Sequence, residues 1–319
     1  MMLDLKTLVD QAESRIRTHV RNTYLEMSDV LSELAECKVF LKLENLQHTG
    51  SFKVRGALNK LLSLSEEEKE KGIVTASSGN HALAVAHGLK QLKLPGAIYL
   101  PEHASVAKLK MLKRYDVEIK LCPGDCTDAE TLARQQSLEQ KLTYISPYND
   151  PQVIGGQGTI GFELFQTDPS IDCVFVAVGG GGLIAGIAGY LKAVKPDVQI
   201  IGCLPQNSPA MFEAVKAKKI VECPVLDTLS DGTAGGIEAD AITFEPCLRL
   251  VDDWLVVSEE EMAKGMKVIF EEHRLVIEGA AGVAVAAFLQ KAPEFKGKRV
   301  ALILCGGNID MHIFKNVAC

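Results

Sequence analysis

The sequence predicts an α/β fold built on parallel sheets. Short apolar, β-branched segments alternate with helical stretches along the 319 residues. The strands are apolar on both faces, as in sheets that helices cover on both sides. This length allows about two domains, and no Pro/Ser-rich linker separates them. We therefore predict a large domain formed by residues 1–46 and 149–319, with a smaller α/β domain, residues 47–148, inserted into it.

Apolar runs and helix-capping patterns define the individual elements. The predicted strands are 39–43, 73–75, 97–100, 117–121, 142–145, 173–178, 198–204, 254–257 and 300–304. Helical periodicity fills most of the gaps between them. Capping boxes, in which a serine is followed three residues later by a glutamate, predict two helix starts: Ser65 with Glu68, and Ser258 with Glu261.

One uncharged segment, residues 173–191, approaches the length of a membrane span. It contains four consecutive glycines, residues 179–182, and each glycine costs roughly 1 kcal/mol in a helix interior relative to alanine. The segment therefore divides better into a buried strand, a glycine turn and a helix that runs toward Val194. We predict no membrane partner.

Charge and cysteine usage exclude several classes of protein. The net charge is −7, with 34 basic and 41 acidic residues, and the basic residues form no block, so that no nucleic-acid partner is expected. The nine cysteines show no regular framework, and the first residues lack a secretory pattern. We expect free thiols and a cytoplasmic location.

Glycine clusters stand where open α/β sheets bind ligands, at the expected carboxyl ends of strands. They occupy residues 77–81, 179–182, 231–236 and 305–308. In the second, a strand, four glycines and a helix start expose backbone N–H groups to an anion, and a phosphate is the natural ligand. The alternative is a turn that only allows close packing of the helix on the strand.

Common phosphate-binding and hydrolase motifs fit poorly. Leu183 follows the four glycines, where a Walker loop needs lysine. Residues 156–161 match G-x-G-x-x-G and 180–185 match its looser form, but neither is followed by the acidic residue that binds ribose. The chain has no H-E-x-x-H and no G-x-S-x-G, and Cys122 and Cys126 lack a second pair, so we predict no metal site of that kind.

Pyridoxal phosphate is the remaining common phosphate-bearing cofactor, and it requires a lysine. Lys53 is the candidate, just inside a helix start that Thr49 or Ser51 is expected to cap. The helix N-terminus and the nearby Arg55 favour the neutral amine, and Phe52 can shield it from water. A solvated lysine at a helix end is the alternative.

Four motifs together resemble the serine/threonine dehydratase family. They are HTGSFKVRGA at 48–57, SSGNHA at 77–82, GGGGL at 179–183 and CGGN at 305–308. This family belongs to the fold-type II, tryptophan synthase β-like pyridoxal-phosphate enzymes, which include serine racemase. The resemblance implies a large parallel-sheet domain with an inserted smaller α/β domain that carries the lysine. It also implies a homo-oligomer.

The resemblance also implies roles for individual residues. Lys53 would bind the cofactor as a Schiff base and remove the α-proton of the substrate, with Ser78 as a second catalytic group. The implied cofactor-binding residues are Phe52, Lys53, Asn80, Gly179, Gly180, Gly181, Gly182, Leu183, Gly232, Glu278 and Cys305. The implied substrate-binding residues are Ser77, Ser78, Gly79, Asn80, His81 and Gly235.

Simpler interpretations exist for some of these residues. His81 could be a capping or surface histidine, and Cys305 an ordinary buried cysteine at a strand end. Gly232 and Gly235 could be turn glycines, and Glu278 a carboxylate at a helix start.

The implied reaction is β-elimination of L-threonine and/or L-serine to 2-oxobutanoate or pyruvate and ammonia. The resemblance places Cys305 at the position whose side chain meets the pyridine nitrogen in the family. A thiol cannot fully protonate that nitrogen, which suits elimination. Ser78 leaves amino-acid racemisation open as an alternative. An ammonia-lyase for another β-hydroxy amino acid, such as 3-hydroxyaspartate, is also an alternative. A non-catalytic binding protein on the same scaffold is a further alternative. Leu204 and Ala210 replace the acidic metal ligands of racemase-like members, so that no metal is expected.

Overall fold

The chain forms two β-sheets surrounded by helices, in a computed structural model that describes residues 3–104 and 106–318. The strands are β1 (Leu25–Met27), β2 (Lys38–Lys42), β3 (Ile73–Ala76), β4 (Gly96–Pro101), β5 (Glu118–Cys122), β6 (Thr143–Tyr144), β7 (Cys173–Ala177), β8 (Gln199–Pro205), β9 (Asp253–Val257) and β10 (Arg299–Ile303).

Helices fill most of the connections between the strands. They are α1 (Leu5–Ile16), α2 (Asp29–Ala35), α3 (Lys53–Ser63), α4 (Glu66–Lys71), α5 (Asn80–Leu92), α6 (Val106–Leu112), α7 (Cys126–Gln140), α8 (Pro151–Thr167), α9 (Gly182–Val194), α10 (Ala210–Ala217), α11 (Phe244–Leu250), α12 (Glu259–His273), α13 (Gly279–Lys291) and α14 (Met311–Ala318). Both predicted capping boxes form, at the starts of α4 and α12. The predicted α/β class is confirmed.

The larger sheet has six strands in the order β1-β2-β10-β7-β8-β9, and the smaller has four in the order β5-β4-β3-β6. All neighbouring pairs are parallel except β1 and β2. Parallel neighbours need crossover connections, and the helices that provide them cover both faces of a sheet. The smaller sheet lies within residues 73–144. The division into 1–46 with 149–319 and 47–148 stays a prediction.

Every predicted strand is present, with ends that differ by a residue or two. The structure adds β1, which the sequence pattern did not indicate. This strand pairs antiparallel with β2 at the edge of the sheet, and Leu25 lies opposite Lys42. Two of its three residues, Glu26 and Met27, are exposed. An edge strand with so little buried surface leaves no apolar run that could predict it.

The glycine segments meet at the carboxyl ends of the central strands, with one correction to their placement. Residues 77–79 follow β3, residues 178–181 follow β7 and residues 304–308 follow β10. Residues 231–236 were expected at a strand end as well. They lie instead in the long connection between α10 and α11, where Asp231–Thr233 forms a 3₁₀ turn.

The literal G-x-G-x-x-G match lies inside α8, a helix capped by Asp150 with a proline in its first turn. Here the glycines allow close contact between helices: a Cβ on Gly158 would lie 2.8 Å from the carbonyl oxygen of Gly186 in α9. A dinucleotide-binding turn follows a strand, which this segment does not. The segment 173–191 forms β7 and α9, and within the described residues no helix has the length and apolarity of a membrane span.

Candidate active site

The four-glycine turn joins β7 to α9 in the conformation that its sequence predicts. Gly181 precedes the helix with a φ of 86°, a left-handed conformation that favours glycine. A Cβ on Gly180 would lie 2.5 Å from the ring of Tyr148, so the turn also needs a residue without a side chain here. The hydroxyl of Thr243 donates a hydrogen bond to the Gly180 carbonyl oxygen (2.6 Å). This hydrogen bond fixes the position of the glycine turn.

The first turn of α9 offers its backbone N–H groups to an anion. The helix begins at Gly182, and the first intrahelical bond that reaches back to the turn runs from the amide of Ala185 to the carbonyl of Gly181 (2.9 Å). The N–H groups before Ala185, including that of the buried Leu183, have no acceptor one turn earlier. Gly179 lies against the backbone of Thr233, at 3.0 Å for a Cβ built on it. The arrangement fits a phosphate group.

Lys53 is the first residue of α3, and the segment before it is attached to the turn after β10. Phe52 donates its amide to the carbonyl of Cys305 (3.0 Å), and Ser51 pairs with Gly306 in an isolated antiparallel bridge. The Lys53 ammonium group donates to the carbonyl oxygen of Pro147 (2.9 Å) and lies 5.3 Å from the centre of the Phe52 ring. The segments that follow β6 and β10 therefore hold Lys53 in place at the start of α3.

The expected side-chain cap of this helix is wrong. The N-cap position is Phe52, and no side chain caps α3. The hydroxyls of Thr49 and Ser51 are buried without a hydrogen-bond partner among the described residues. Backbone bonds instead attach the segment before α3 to the turn after β10.

Arg55 does not act on Lys53 as the sequence predicted. Its guanidinium is fully buried between the carboxylates of Glu44 (2.8 Å) and Glu163 (2.7 Å). Glu163 also pairs with the buried Lys42 (2.5 Å). Because two carboxylates neutralise Arg55, its charge does not set the protonation of the lysine.

Burial is the dominant influence on Lys53. It lowers the pKa of the ammonium group from 10.5 to about 8, while the Cys305 thiol and the Glu278 carboxyl group act in the opposite direction. A pKa near 8 leaves a substantial fraction of neutral amine at physiological pH. The sequence predicted this neutral tendency correctly but assigned it to Arg55 and the helix end.

Glu278 is a buried carboxyl group directly before α13. It accepts hydrogen bonds from Asn80 Nδ2 (2.7 Å) and from the backbone amide of Asn308 (3.0 Å). Burial nevertheless raises its pKa to about 7, because desolvation of the charged form outweighs both bonds. A Cβ on Gly232 would lie 3.3 Å from Glu278 Oε1, so this loop glycine lies against the carboxyl group.

Cys305, at the end of β10, is a buried neutral thiol. Burial, reinforced by the nearby Glu278, raises its pKa well above the usual value of 9.0. The thiol therefore stays protonated at neutral pH and places no negative charge in the site.

The loop 77–81 leads from β3 into α5, which begins at Asn80. The Ser77 hydroxyl accepts a hydrogen bond from the Gly79 amide (3.2 Å). The Ser78 hydroxyl lies 3.9 Å from the thiol of Cys126, at the start of α7. The first amides of α5 point toward the carboxyl edge of the smaller sheet, where a helix N-terminus favours an anion.

His81 differs from the rest of this loop, because its side chain is buried. Its Nε2 contacts the carbonyl oxygen of Ile145 (3.0 Å), and burial, followed by the charge of Lys53, lowers its pKa to about 3. A neutral ring that donates to a carbonyl leaves Nδ1 as an acceptor, and Nδ1 is buried without a partner among the described residues. The imidazole brings no positive charge to an anion here; only its backbone N–H is available.

The structure brings several of the predicted site residues together. Asn80 donates to Glu278, and Gly232 lies against the same carboxyl group. Lys53 and Cys305 are near enough to influence each other's pKa, and Glu278 influences both. Gly235 lies farther along that loop and donates its amide to Ser208 Oγ (3.1 Å). The sequence reasoning missed three contact residues, which lie in none of the four motifs: Pro147, Tyr148 and Thr243. Asn308 belongs to the last motif, but no role was assigned to it.

The described chain contains no group of three or more His, Cys, Asp or Glu side chains suited to a metal ion. The eight cysteines within the described ranges are free.

Comparisons with known proteins show the family to which the chain belongs. The family described as "Pyridoxal-phosphate dependent enzyme" matches residues 16–306. An L-threonine ammonia-lyase of Thermotoga maritima is 38% identical over 309 residues, which are 97% of this chain and 77% of the relative.

Solved structures give the same result. Threonine deaminase isoform 2 of Solanum lycopersicum is similar with a TM-score of 0.94 and 31% identity, covering 98% of this chain and 92% of that one. Maize serine racemase has a TM-score of 0.91 and 31% identity, covering 98% and 95%. The chain therefore belongs to the pyridoxal-phosphate-dependent enzymes, in the fold-type II serine/threonine dehydratase group that its four motifs predict.

Proposed function

We propose that this enzyme deaminates L-threonine and/or L-serine by β-elimination, which gives 2-oxobutanoate or pyruvate and ammonia. The observation that carries the proposal is the environment of Lys53, a half-buried amine with a pKa of about 8. The amine donates to the carbonyl of Pro147, and the next residue, Tyr148, packs against the glycine turn that fits a phosphate. The names of the relatives, among them L-threonine ammonia-lyase and threonine deaminase, support this substrate class.

The residues present fit pyridoxal phosphate. A Cβ on Gly179, Gly180 or Gly182 would meet Thr233 or Tyr148, and one on Gly181 would meet Met211 and Cys247, so the turn fits glycine alone. The free amides at the start of α9 directly follow this turn and suit a phosphate. The hydroxyls of Thr49 and Ser51 have no partner among the described residues, although they are buried beside Lys53. Phe52, Asn80, Gly232, Glu278 and Cys305 are the other residues that we assign to the cofactor.

When bound, the cofactor supplies an electron sink for the bond pair that a departing α-proton leaves behind. Lys53 holds or moves that proton at Nζ, and a pKa of about 8 suits both tasks near neutral pH. The Cys305 thiol, which stays protonated, would offer a neutral contact to the ring nitrogen of the cofactor. The Phe52 ring limits the access of water to the amine.

The start of α5 is our candidate for the substrate carboxylate. Ser77, Ser78, Gly79 and Asn80 lead into this helix, and its free N–H groups favour an anion. His81 contributes its backbone amide rather than its ring. Gly235 is the residue that we assign to the loop across the substrate.

The test measures keto acid released from a panel of amino acids, including L-threonine, L-serine and 3-hydroxyaspartate. Lys53→Met is expected to lower the rate by at least about 10³-fold, because it removes the proton-transferring group. Lys60→Met on the same helix is the control, since Lys60 pairs with Asp150 (2.7 Å) away from the site. Cofactor-loaded protein that releases no keto acid from any of these substrates would contradict the proposal.

Amino-acid racemisation is the second candidate function. Ser78 is half-buried, and its hydroxyl lies 3.9 Å from the exposed Cys126 thiol. So long a contact leaves the hydroxyl available to a substrate. The similarity to maize serine racemase points in the same direction. Chiral analysis of L-serine incubations tests this function. Racemisation is supported if the parent forms D-serine and Ser78→Ala does not. It is excluded if the parent leaves L-serine enantiomerically pure.

We further propose that the enzyme is a homo-oligomer in the cytoplasm. Large apolar side chains are exposed around β1 and α2. Tyr24, directly before β1, is 75% exposed, and Leu34, in α2, is 60% exposed. Such surface is usually covered in an assembly. Light scattering coupled to size-exclusion chromatography tests the assembly, and a monomeric mass would refute it.

A further inference from the structure

Asn308, in the turn after β10, makes more side-chain contacts to the site than its neighbours in sequence. Its Nδ2 donates to the carbonyl oxygen of Thr49 (2.7 Å) and to Asn80 Oδ1 (2.7 Å). Its backbone amide donates to Glu278 Oε2 (3.0 Å). One residue thus connects the loop before Lys53, the first turn of α5 and the carboxyl group before α13.

The space in front of Asn308 is shaped for this side chain. Gly50 lies against it with a φ of 73°, and a Cβ on this glycine would lie 2.5 Å from Asn308 Oδ1. The amide of Gly307 donates to the Gly50 carbonyl (2.9 Å), which holds the two loops at a fixed separation. Asn308 is therefore in a fitted position and not free to adopt many rotamers.

The two neighbours of Asn80 determine which way its carboxamide points. Its Nδ2 donates to Glu278 Oε1 (2.7 Å), and its Oδ1 accepts from Asn308 Nδ2. Rotating the amide by 180° would place an oxygen against the carboxyl oxygens and an NH₂ group against another NH₂ group. Both contacts would be lost and replaced by repulsion.

Each partner alone fixes the amide less firmly. Glu278 has a pKa of about 7, so that its carboxyl group carries a proton in a large fraction of molecules near neutral pH and can then also donate. Asn308 Nδ2 is a donor at every pH. The second hydrogen on Asn80 Nδ2 is the donor that remains for a ligand.

We propose that Asn308 is a positioning residue: it holds the Asn80 carboxamide so that an N–H, and not the oxygen, faces the cofactor. The inference rests on the proposed function and on the family resemblance, which implies that Asn80 hydrogen-bonds the ring hydroxyl of pyridoxal phosphate. A donor at that oxygen stabilises the form of the cofactor with more negative charge. Losing the orientation therefore raises the pH at which the bound cofactor changes its visible absorbance.

The test is a double-mutant cycle on cofactor-loaded protein, read as the pH midpoint of this absorbance change. Asn308→Ala is expected to raise the midpoint by about one pH unit, which corresponds to roughly a tenfold change in the proton equilibrium. Asn80→Ala should raise it similarly, and the double variant should not exceed Asn80→Ala alone. The measurement needs no turnover, so that failure of the proposed reaction would not affect it.

Asn45→Ala is the matched control. Asn45 is also a buried asparagine beside this turn, and it donates to the carbonyl of Val276 (3.3 Å) without contacting Asn80. It should lower the melting temperature but leave the midpoint unchanged. If Asn308→Ala does not fold, the same cycle is read with Asn308→Asp, which keeps the size of the side chain but cannot donate to Asn80.

Two results would overturn the proposal. One is an Asn308 variant whose midpoint equals that of the parent. The other is a shift that persists undiminished in the Asn80→Ala background, because it would show that Asn308 acts without Asn80.

Discussion

Removing the amine of Lys53 should change how the stability of the cofactor-free protein depends on pH. The half-buried ammonium group has a pKa of about 8, against 10.5 for a solvated lysine, because burial disfavours its charge. Below pH 8 both the folded and the unfolded chain carry the proton, and the full cost of burying the charge is present. Between pH 8 and 10.5 the unfolded chain binds more protons, so that stability rises with pH.

The magnitude follows from the two pKa values. Their difference corresponds to about 3 kcal/mol, and partial solvent access to the side chain reduces this to about 1–3 kcal/mol. Lys53→Met keeps the length of the side chain but removes the charge. It also loses the hydrogen bond to Pro147, which costs about 1 kcal/mol.

The assay is urea unfolding of cofactor-free protein at several pH values from 7 to 10.5. The free energy of unfolding of Lys53→Met relative to the parent should fall by about 1–3 kcal/mol across this range. Lys267→Met, a surface control beside Glu271, should show a difference within about 0.5 kcal/mol at every pH. Parallel pH profiles for Lys53→Met and the parent would refute the assigned burial of charge.

Further predictions concern the phosphate turn and the buried ion cluster. Gly180→Ala would place a Cβ 2.5 Å from the Tyr148 ring, and this overpacking should cost about 1–3 kcal/mol. The variant should bind pyridoxal phosphate at least about tenfold more weakly in a fluorescence titration. Gly236→Ala is the control, because a Cβ there meets nothing within 4 Å, and it should bind the cofactor with the affinity of the parent. Equal affinities of the two variants would contradict a role of the turn 179–182 in binding the phosphate. Glu163→Gln leaves two buried cations underpaired and should lower the free energy of unfolding by about 3–5 kcal/mol in denaturant titrations, against less than about 1 kcal/mol for the exposed Glu67→Gln. A loss no larger than that of Glu67→Gln would show that the cluster is not essential.

The pH dependence of Glu163 has the opposite sign to that of Lys53. Its buried cationic partners, Arg55 first and then Lys42, hold the pKa of this carboxyl group below the usual 4.5. The stabilisation it provides is therefore present above about pH 4.5 and is lost as the pH falls through the lower folded-state value. The free energy of unfolding of the parent should therefore fall as the pH is lowered below about 4.5, and Glu163→Gln should remove this contribution to the slope.

The sequence by itself determined what depends on neighbouring residues. The alternation of apolar strands and helices predicted the α/β class, and the run Gly179–Gly182 between a buried strand and a helix predicted a phosphate turn. Both are local consequences of side-chain volume and backbone freedom. Lys53 then indicated the cofactor, because pyridoxal phosphate requires a lysine amine and the four motifs together resemble a family that uses it.

Only the tertiary structure decided which groups meet, because the decisive partners are far apart in the chain. Arg55 pairs with Glu163 across 108 residues, and Asn308 reaches Asn80 across 228. Protonation follows from these contacts and from burial: the charge of Arg55 is neutralised, the ring of His81 is enclosed, and desolvation sets the pKa of Lys53. A sequence pattern carries no record of the desolvation that a residue undergoes when distant segments close around it.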